Sequence, residues 1–447
     1  MKRTLLSAAV ILATVISAQA QDLKTGYFLD NYLYGSKINP ALQPDNADGY
    51  FGLILNDFTL GFSSNAGVSN FFFPYNGKLV NGLNKNISSS TFLGNLKATS
   101  SAALDLDENI FTVGFRSAGG KAFSTVSLNL KSGSSMGLPK TLFEFLKDGA
   151  DDQLYTLTDI GVVSRNYLEL SYGYSRKIND LITVGATVKG LLGLAYVNAD
   201  VQKLTLDTSG DEILATGQGS FSGSIPFTSF PADEDGYISF DDVESSSKGL
   251  PAGFGLACDL GVTVTPMEGL TVSAALLDLG FIGWKQNVSG SMSGTTSFTL
   301  AEDENIGDEL KDMFKFKSES SKSKVSDLLN TRANIGARYV LPFAGRKLSV
   351  GALCSFRMGD SFSRYTDFRA GLTFTPGKAL SLTATAGYST YGFTSGAAIN
   401  LRAGFVNFFA GMDGIFTKVT AQYLPVNPVD AVAKVGLSFC IGHKDRG

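Results

Sequence analysis

The segment Arg332 to Leu341, with the sequence RANIGARYVL, alternates apolar and polar side chains along its whole length. Successive side chains of a β-strand point to opposite faces of its sheet. One face of this segment therefore carries Ala333, Ile335, Ala337, Tyr339 and Leu341, and the other carries Arg332, Asn334, Gly336 and Arg338. The segment predicts a strand with one apolar and one polar side.

The same alternation recurs from Tyr50 to Ile441 in segments of roughly ten residues separated by polar, Gly, Pro or Asn breaks. Leu348 to Met358 and Leu380 to Ser389 are two clear cases. A half-buried sheet of a soluble protein could give one or two such strands. Repetition over most of the chain is typical of a transmembrane antiparallel β-barrel, so we predict an all-β fold of that kind.

The first twenty residues have the pattern of a secretory signal peptide. Lys2 and Arg3 form a basic start, Leu5 to Ile16 an apolar run, and Ala18-Gln19-Ala20 a cleavage site, with cleavage expected after Ala20. Beyond residue 20 no apolar run of about 18 residues follows, so no membrane-spanning helix is expected. An exported, alternating chain of this kind is predicted to lie in the cell outer membrane, among outer-membrane lipids.

Composition limits the functions that the chain can have. Charged residues make up 17% of it, against roughly 25% in soluble domains, and the net charge of −4 gives no indication of a nucleic-acid partner. The sole histidine is His443, and Cys258, Cys354 and Cys440 are isolated on separate strands. We therefore expect no enzyme with a histidine-based triad, no metal site and no cofactor. Glu169 and Asp259, both predicted to face inward, leave only a weak carboxylate alternative.

Turn positions suggest fourteen strands, with twelve or sixteen as alternatives, in a barrel domain of residues 49–447. Short turns are expected at 177–180, 265–269, 342–346 and 376–378. Residues 200–224 and 286–300 are expected to form hairpins beyond the membrane. Helical pieces are predicted after Pro139 and from Ser320 to Leu329, and 76–101 is predicted to be an irregular outer loop. The acidic clusters 233–235, 241–242 and 302–304 are interpreted as solvated loops, since the spacing of an EF-hand is missing.

Residues 21–48 precede the first strand and contain Pro40 and Pro44, which cannot donate to a strand ladder and favour a compact turn. We expect this segment to lie under or inside the barrel as a plug.

Three stretches carry a resemblance to a known family. They are Asn39-Pro40-Ala41, the run from Leu277 to Trp284, and the closing strand from Val435 to Phe439. The chain resembles Bacteroidetes outer-membrane barrels that are similar to the long-chain fatty-acid transporters and to barrel components of type IX secretion. The resemblance implies a fourteen-stranded barrel with an N-terminal hatch and sideways exit of the substrate. It carries over Asn39, Pro40 and Ala41 as hatch residues.

Strand parity places several basic residues on the predicted inner face. They are Arg116, Lys131, Lys189, Arg332, Arg338, Arg357, Arg369 and Arg402, against Glu169 and Asp259. Charged side chains avoid lipid, so inward placement needs no function in itself. The excess of positive charge predicts a lumen that favours anionic solutes or amphiphiles with a carboxylate head. The alternative is that these cations pair with acids of the N-terminal segment, such as Asp30 and Asp45.

Two functions remain open at this point. One is passive transport of hydrophobic or amphiphilic small molecules, including anionic ones. The other is a structural barrel that docks protein partners of a secretion or envelope complex without transport. A strand interrupted near its middle would mark a sideways gap, and Asn56-Asp57 and Asp278 to Gly280 are the candidate interruptions.

Overall fold

The computed structural model describes residues 22–44, 47–149, 152–210, 212–240, 242–247, 249–298, 315–319, 324–415, 418–420 and 425–442. Several sequence predictions lie outside these described residues. They concern the signal peptide 1–20, Asp45, Asp241, the acidic cluster 302–304 and His443.

Strands account for most of the described chain. In chain order they are β1 Gly49–Leu53, β2 Phe58–Ser64, β3 Phe72–Tyr75, β4 Lys78–Asn81, β5 Thr99–Arg116, β6 Ala122–Pro139, β7 Leu154–Leu157, β8 Ile160–Lys177, β9 Ile182–Asp207, β10 Ile213–Ser224, β11 Thr228–Ser229, β12 Glu244–Ser245, β13 Gly253–Met267, β14 Leu270–Trp284, β15 Val288–Phe298, β16 Lys317–Ser318, β17 Val325–Leu328, β18 Arg332–Val340, β19 Leu348–Arg357, β20 Tyr365–Gly377, β21 Leu380–Ser389, β22 Gly392–Ala403, β23 Val406–Asp413 and β24 Val429–Ile441.

These strands form a closed antiparallel barrel of fourteen strands, which confirms the predicted fold class and strand number. Its first strand is made of β1 and β2 together, and the others are β5, β6, β8, β9, β13, β14, β18 and each strand from β19 to β24. The last strand, β24, pairs with both β1 and β2 and closes the ring. Closure leaves no unpaired sheet edge, which is what a sheet surrounded by lipid requires.

The two ends of the barrel differ in their connections. At one end, here called the short-turn end, the strands are joined by brief turns, including all four that the sequence predicts. At the other, the long-loop end, most connections are long. There β9 continues beyond the barrel and pairs with β10, which pairs in turn with β15. Residues 200–224 and 286–298 thus extend the sheet past the ring of the barrel as antiparallel strands. That they lie beyond the membrane stays a prediction.

The helices all lie at the long-loop end, apart from short 3₁₀ turns. They are α1 Val68–Phe71, α2 Ser89–Gly94 and α3 Lys140–Asp148. Helix α3 confirms the prediction made from Pro139, and it buries Leu142 and Phe145. No helix of the described residues is long and apolar enough to cross a membrane.

Two predictions about local structure at the long-loop end are wrong. Of the segment from Ser320 to Leu329, the structure describes residues 324–329, and these contain strand β17 instead of a helix, because the upper part of β14 needs a ladder partner and β17 supplies it. Ladder pairing within a sheet outweighs the weak helical preference of so short a segment. The loop 76–101 is not irregular throughout, since it contains part of the hairpin β3–β4 and helix α2.

The wall alternates between its two faces as predicted. Outward positions are exposed and apolar, as at Ile335 and Phe368, which are 55% and 56% exposed, whereas inward positions are buried. Cys258 and Cys354 are partly exposed among outward residues, Cys440 is buried inside, and all three are free thiols. Apolar side chains on the outer face and polar side chains inside match a barrel that stands in lipid.

Candidate functional site: the plugged interior of the barrel

The N-terminal segment 22–44, continued by 47–48, fills the interior near the short-turn end and is called the plug below. Its regular structure is limited to two 3₁₀ turns, η1 Lys24–Phe28 and η2 Gly35–Lys37. Its aromatic rings pack on aromatic rings of the inner wall. The ring of Tyr32 lies 5.2 Å from that of Phe409, and the ring of Tyr34 lies 5.7 Å from that of Tyr50. The plug therefore supplies an apolar core that the polar wall alone would lack.

The structure places Asn39, Pro40 and Ala41 in a tight turn against the inner wall. The Leu42 amide donates to the Asn39 carbonyl (2.9 Å), and the Ala41 amide donates to Asn39 Oδ1 (2.9 Å). Asn39 Nδ2 donates to the backbone carbonyls of Val262 (3.2 Å) and Ala274 (3.1 Å). The Asn39 side chain is thus fully used in fixing the turn and in joining it to β13 and β14.

Glycines of the inner wall make room for this turn. A Cβ atom at Gly261 would overlap Asn39 and Pro40, and one at Gly185 would overlap the Pro40 carbonyl and the Ala41 amide. Further along the plug, Gly351 and Gly371 leave space for the ring of Phe28 in the same way. Missing side chains therefore shape a groove along the wall into which the plug backbone fits.

Because the plug forms no ladder with the wall, its backbone needs other partners. Wall side chains supply several of them. Thr373 Oγ1 donates to the Phe28 carbonyl (2.8 Å), Asn334 Nδ2 to the Ile38 carbonyl (2.9 Å), and Asn400 Nδ2 to the Asn31 carbonyl (3.3 Å). These bonds fix the position of the plug without making it part of the sheet.

Inside the barrel, charged side chains form a closed ring of ion pairs, called the ionic ring below. Neighbouring members have opposite charge, with N–O separations no greater than 3.8 Å, and Asp22 and Lys37 come from the plug. In order, the members are Lys131, Glu169, Lys189, Asp278, Arg332, Asp22, Lys434, Asp57, Lys37 and Asp107, which returns to Lys131. The plug thus completes a charge network whose other members belong to the wall.

The remaining sequence-predicted basic residues also find partners inside the barrel. Arg357 pairs with Asp105 (3.4 Å), Arg369 pairs with Asp367 (3.0 Å) and with Asp413, and Arg338 pairs with Asp30 of the plug. Arg116 and Arg402 lie near the short-turn end and donate to backbone carbonyls, including those of Pro44 and Gly442. Of the positions proposed for a basic lumen, Lys131, Lys189 and Arg332 thus belong to the ionic ring, Arg338, Arg357 and Arg369 form further ion pairs with carboxylates, and Arg116 and Arg402 donate to backbone carbonyls.

Glu169 and Asp259 are the only acids that the sequence analysis places on the inner face. Among the described residues, the structure adds inward carboxylates of the wall and two further cations. They are Asp57, Asp105, Asp107, Asp278, Asp327, Asp367, Asp413 and Asp430, with Arg165 and Lys434. Strand parity could have found most of these, as in the run Leu104-Asp105-Leu106-Asp107. Asp57 and Asp278 escape it because each lies at a break in its strand.

Lys189 joins the two acids that the sequence singled out. Its ammonium lies 3.8 Å from Glu169 Oε2 and 2.7 Å from Asp259 Oδ1. Strand β9, which carries Lys189, lies between the strands of the two acids. Glu169 and Asp259 are therefore structural counterions of one lysine, and they do not face each other across a substrate-sized space.

Burial and charge act in opposite directions on the plug's ionisable groups. For Asp22 burial opposes ionisation, but the guanidinium of Arg332 and the ammonium of Lys434 hold the pKa of its carboxyl below the ordinary value. For Lys24 burial likewise opposes the charged form, but Asp430, Tyr365 and Asp367 raise the pKa of its ammonium. Both groups are therefore charged at neutral pH, and their ion pairs hold the plug in place.

A second closure, called the lid below, crosses the barrel at the long-loop end. It is the β19–β20 loop, residues 358–364, with the 3₁₀ turn Ser361–Ser363. Arg165 of β8 pairs with Asp360 of the lid and with Asp327 of β17. Phe362 occupies the space left by the missing side chains of Gly137 on β6 and Gly161 on β8. Strands β6 and β8 lie across the barrel from β19 and β20, so the lid spans the mouth.

Both predicted strand interruptions are present in the wall. Between β1 and β2, Ile54 and Leu55 adopt positive φ angles and are 71% and 59% exposed, whereas Asn56 and Asp57 are buried. Opposite them, the Leu437 amide donates to the Leu55 carbonyl at 3.3 Å. Asp278 also has a positive φ, and there the partner of β14 changes from β18 to β17. On the inner side of these interruptions, Asp57 pairs with Lys37 and Lys434, and Asp278 pairs with Lys189.

Little free space is left around the closures. One cavity beside the plug, near Pro40 and Leu42, and one between the ionic ring and the lid, near Arg332 and Arg357, each have a volume of about 10 Å³. Such a volume holds one water molecule at most. In this state the interior is closed twice, by the plug and by the lid.

Fold and interior together define a plugged β-barrel of fourteen strands. The chain belongs to the family of unknown function DUF5723, whose model matches residues 40–413. That range includes most of the barrel and begins at Pro40, inside the plug. Curated proteins give no match.

Solved structures with a similar course of the chain are known. The toluene transporter TbuX of Ralstonia pickettii has a TM-score of 0.47 at 9% identity, covering 96% of this chain and 98% of that one. The monoaromatic hydrocarbon channel CymD has a TM-score of 0.48 at 8% identity, with 96% and 99% covered. A FadL homologue of Pseudomonas aeruginosa has a TM-score of 0.44 at 10% identity, with 95% and 100% covered.

Proposed function

We propose that this chain is an outer-membrane channel for passive movement of hydrophobic or amphiphilic solutes, closed at rest by the plug and the lid. Residues 1–20 would direct export, and the short-turn end would face the periplasm, as short turns do in such barrels. The exposed apolar outer face and the polar inner face support a position in the membrane.

One observation carries the proposal: near the short-turn end, a separate segment occupies the space that the inward side chains of the wall leave open. A fourteen-stranded barrel is too wide to be filled by its own side chains. Here the filling is a short N-terminal segment without ladder hydrogen bonds to the wall, held by ion pairs and by a groove of glycines. A segment of this kind can leave without breaking the sheet, whereas wall side chains cannot.

The apolar surfaces along the axis favour an apolar solute. The space that the plug occupies is lined by Phe409, Phe123 and Tyr50 of the wall. At the long-loop end, Phe145 of α3 and Phe221 of β10 belong to a second apolar core, which also contains residues of β9 and β15. The matched charges between these apolar regions favour neither sign of solute. An amphiphile with a carboxylate head stays within the proposal, but the lumen gives it no surplus of cations.

The break between β1 and β2 is the place that we propose for sideways exit into the membrane. Its residues Ile54 and Leu55 already face lipid, and across the break β24 is joined to Leu55 by one long hydrogen bond. Loss of the Lys37–Asp57 pair (2.6 Å) on departure of the plug would remove the inner support of this part of the wall.

Proteoliposome uptake tests the proposal. Radiolabelled toluene and palmitate serve as a neutral and an anionic apolar probe, with glucose as a polar one. The triple variant D22N/K37M/F362A, which loosens the plug and opens the lid, should take up both apolar probes faster than the wild type. E268Q/F362A, which breaks the exposed Arg346–Glu268 pair and leaves the plug in place, is the matched control. Equal uptake by D22N/K37M/F362A and by E268Q/F362A, with release of the plug shown by proteolysis, would contradict transport.

A second candidate is a structural barrel that docks proteins of a secretion or envelope complex. The extension of β9, β10 and β15 supports it, because it presents a broad surface beyond the membrane. Gentle purification from native membranes distinguishes the two functions. A stoichiometric partner that is lost when residues 208–224 and 286–298 are shortened would favour docking, and a barrel purified alone would favour transport.

A further inference from the structure

The lipid-facing wall has an apolar groove of about 650 Å³ over strands β6, β8, β9, β13 and β14. Its centre is a registered row of outward residues across these strands. In order they are Leu128, Leu170, Gly190, Leu256 and Phe281. A Cβ atom at Gly190 would meet only the Leu170 carbonyl, at 3.9 Å, so the glycine leaves a gap between two leucines. A barrel surface is convex, and this gap makes it locally concave.

A positive charge stands at the long-loop end of the groove. Lys285 directly follows β14, and its ammonium lies 5.4 Å from the ring centre of Phe254, which lines the groove. Lys285 is exposed, and within the described residues no carboxylate lies within 4 Å of its ammonium. An exposed lysine at the edge of an apolar surface can reach a headgroup while its stem stays on that surface.

We propose that this groove, with Lys285, binds one acyl chain of a lipid with an anionic, phosphate-bearing headgroup. The chain would lie in the gap over Gly190 between Leu170 and Leu256, and the phosphate would pair with the ammonium of Lys285. The proposal rests on the membrane position given under the proposed function, and it needs no transport.

A second groove on the wall serves as an internal comparison. It has a volume of about 870 Å³ and lies over β2 and β20 to β24, with outward alanines such as Ala384 and Ala397. Its outward lining is apolar, and the one charged residue that contributes to it, Lys434, points its ammonium into the ionic ring. This groove can take acyl chains without any preference for a headgroup, so charge complementarity distinguishes the Lys285 groove.

The chain has a single tryptophan, Trp284, directly beside Lys285. Its ring is stacked on Tyr196 at 5.0 Å inside the wall and fills the space of Gly193, close behind the groove. Lipids with brominated acyl chains quench tryptophan fluorescence at short range. The full chain is reconstituted with brominated phosphatidylglycerol or brominated phosphatidylcholine of the same acyl chains, and Trp284 quenching is measured.

For the wild type we expect half-maximal quenching at about fivefold lower content of brominated phosphatidylglycerol than of brominated phosphatidylcholine, because one lysine near a membrane surface strengthens the binding of an anionic lipid by about this factor. K285Q should quench equally with both lipids, and G190L, which fills the gap, should quench less with both. A397L fills the other groove and should behave like the wild type. A lipid preference that K285Q and G190L both retain would overturn the proposal. Absence of quenching by either lipid in folded protein would instead contradict the position in the membrane.

Discussion

Asp22 accepts a hydrogen bond from Arg332, and this pair joins the plug to β18 inside the barrel. The second carboxylate oxygen of Asp22 lies 3.5 Å from Lys434 on β24, which stands almost opposite β18. A single plug residue therefore connects two distant parts of the wall. Its removal would leave both cations without that partner in a buried space.

The variant D22N should release the plug. Removal of one partner from a buried ion pair costs about 3–5 kcal/mol, because the other charge stays buried without compensation. We expect proteases to cleave the chain after residue 24 in the folded, detergent-solubilised variant. E268Q, at the exposed pair with Arg346, should stay resistant. Equal resistance of D22N and the wild type would show that Asp22 does not hold the plug.

The variant N39A should loosen the turn of the plug without removing charge. It loses two bonds to the wall carbonyls of Val262 and Ala274, together with the bond to the Ala41 amide. Loss of buried hydrogen-bond partners costs about 1–3 kcal/mol. Hydrogen exchange at Ala41 and Leu42 should accelerate, whereas exchange in β13 should not change. Unchanged exchange in the turn would contradict the role given to Asn39.

The variant G261V should prevent the plug from seating, because its side chain would overlap Asn39 and Pro40. The barrel itself should still form, since valine suits a strand. G190V is the matched control, because it adds the same side chain to the outer face of neighbouring β9. Single-channel conductance in planar bilayers, measured with F362A added to both variants to open the lid, should rise for G261V only. A closed channel in G261V would mean that the plug can seat without the groove.

Two changes should open the lid. R165M breaks the pairs with Asp327 and Asp360, and F362A removes a buried ring at an expected cost of about 3 kcal/mol. A cysteine placed at Ser363, which is buried in the closed lid, should then react faster with a membrane-impermeant maleimide in both variants than in the wild type. R364M, altered at an exposed lid residue, is the control. Equal labelling in R165M, F362A and the wild type would contradict the lid.

Acid should weaken both closures. Burial alone would raise the pKa values of Asp22 and Asp360. The charges of Arg332 and Lys434 lower the pKa of Asp22 below its ordinary value, and the hydrogen bond and charge of Arg165 do the same for Asp360. A lowered pKa means that the pairing contributes fully above the ordinary value of about 3.9 and is lost as the pH falls below it. Conductance should therefore rise below about pH 4, and D22N should lose part of this response. A pH-independent closed state would contradict the prediction.

The alternation of apolar and polar residues along each strand was enough to predict most of the barrel fold. The run from Arg332 to Leu341 and its repeats predicted a two-faced wall, because lipid accepts apolar side chains only and each second residue faces it. Turn residues then gave the strand number and the outer hairpins. The prediction of a helix from Ser320 to Leu329 is wrong for the described residues 324–329, where β17 pairs with the upper part of β14.

The interior was only partly predictable. The inward direction of Lys131, Lys189 and Arg369 follows from parity, but their partners come from distant strands and from the plug. Asp57 and Asp278 lie where the regular strand is broken, so the inward direction of their side chains cannot be predicted from the two-residue alternation. The lid could not be predicted from the sequence, because nothing near Phe362 in the chain distinguishes it from other loop residues. Its role depends on Gly137 and Gly161, which only the folded barrel brings next to it.

The sequence by itself thus determined a two-faced strand pattern, a strand number of twelve to sixteen with fourteen favoured, and an N-terminal segment unfit for the sheet. These properties depend on neighbours along the chain. The ionic ring, the glycine groove and the balance of charge inside were decided only by the tertiary structure. They depend on which side chains meet across the lumen, and ion pairing acts over a few ångströms of space, independent of separation in sequence.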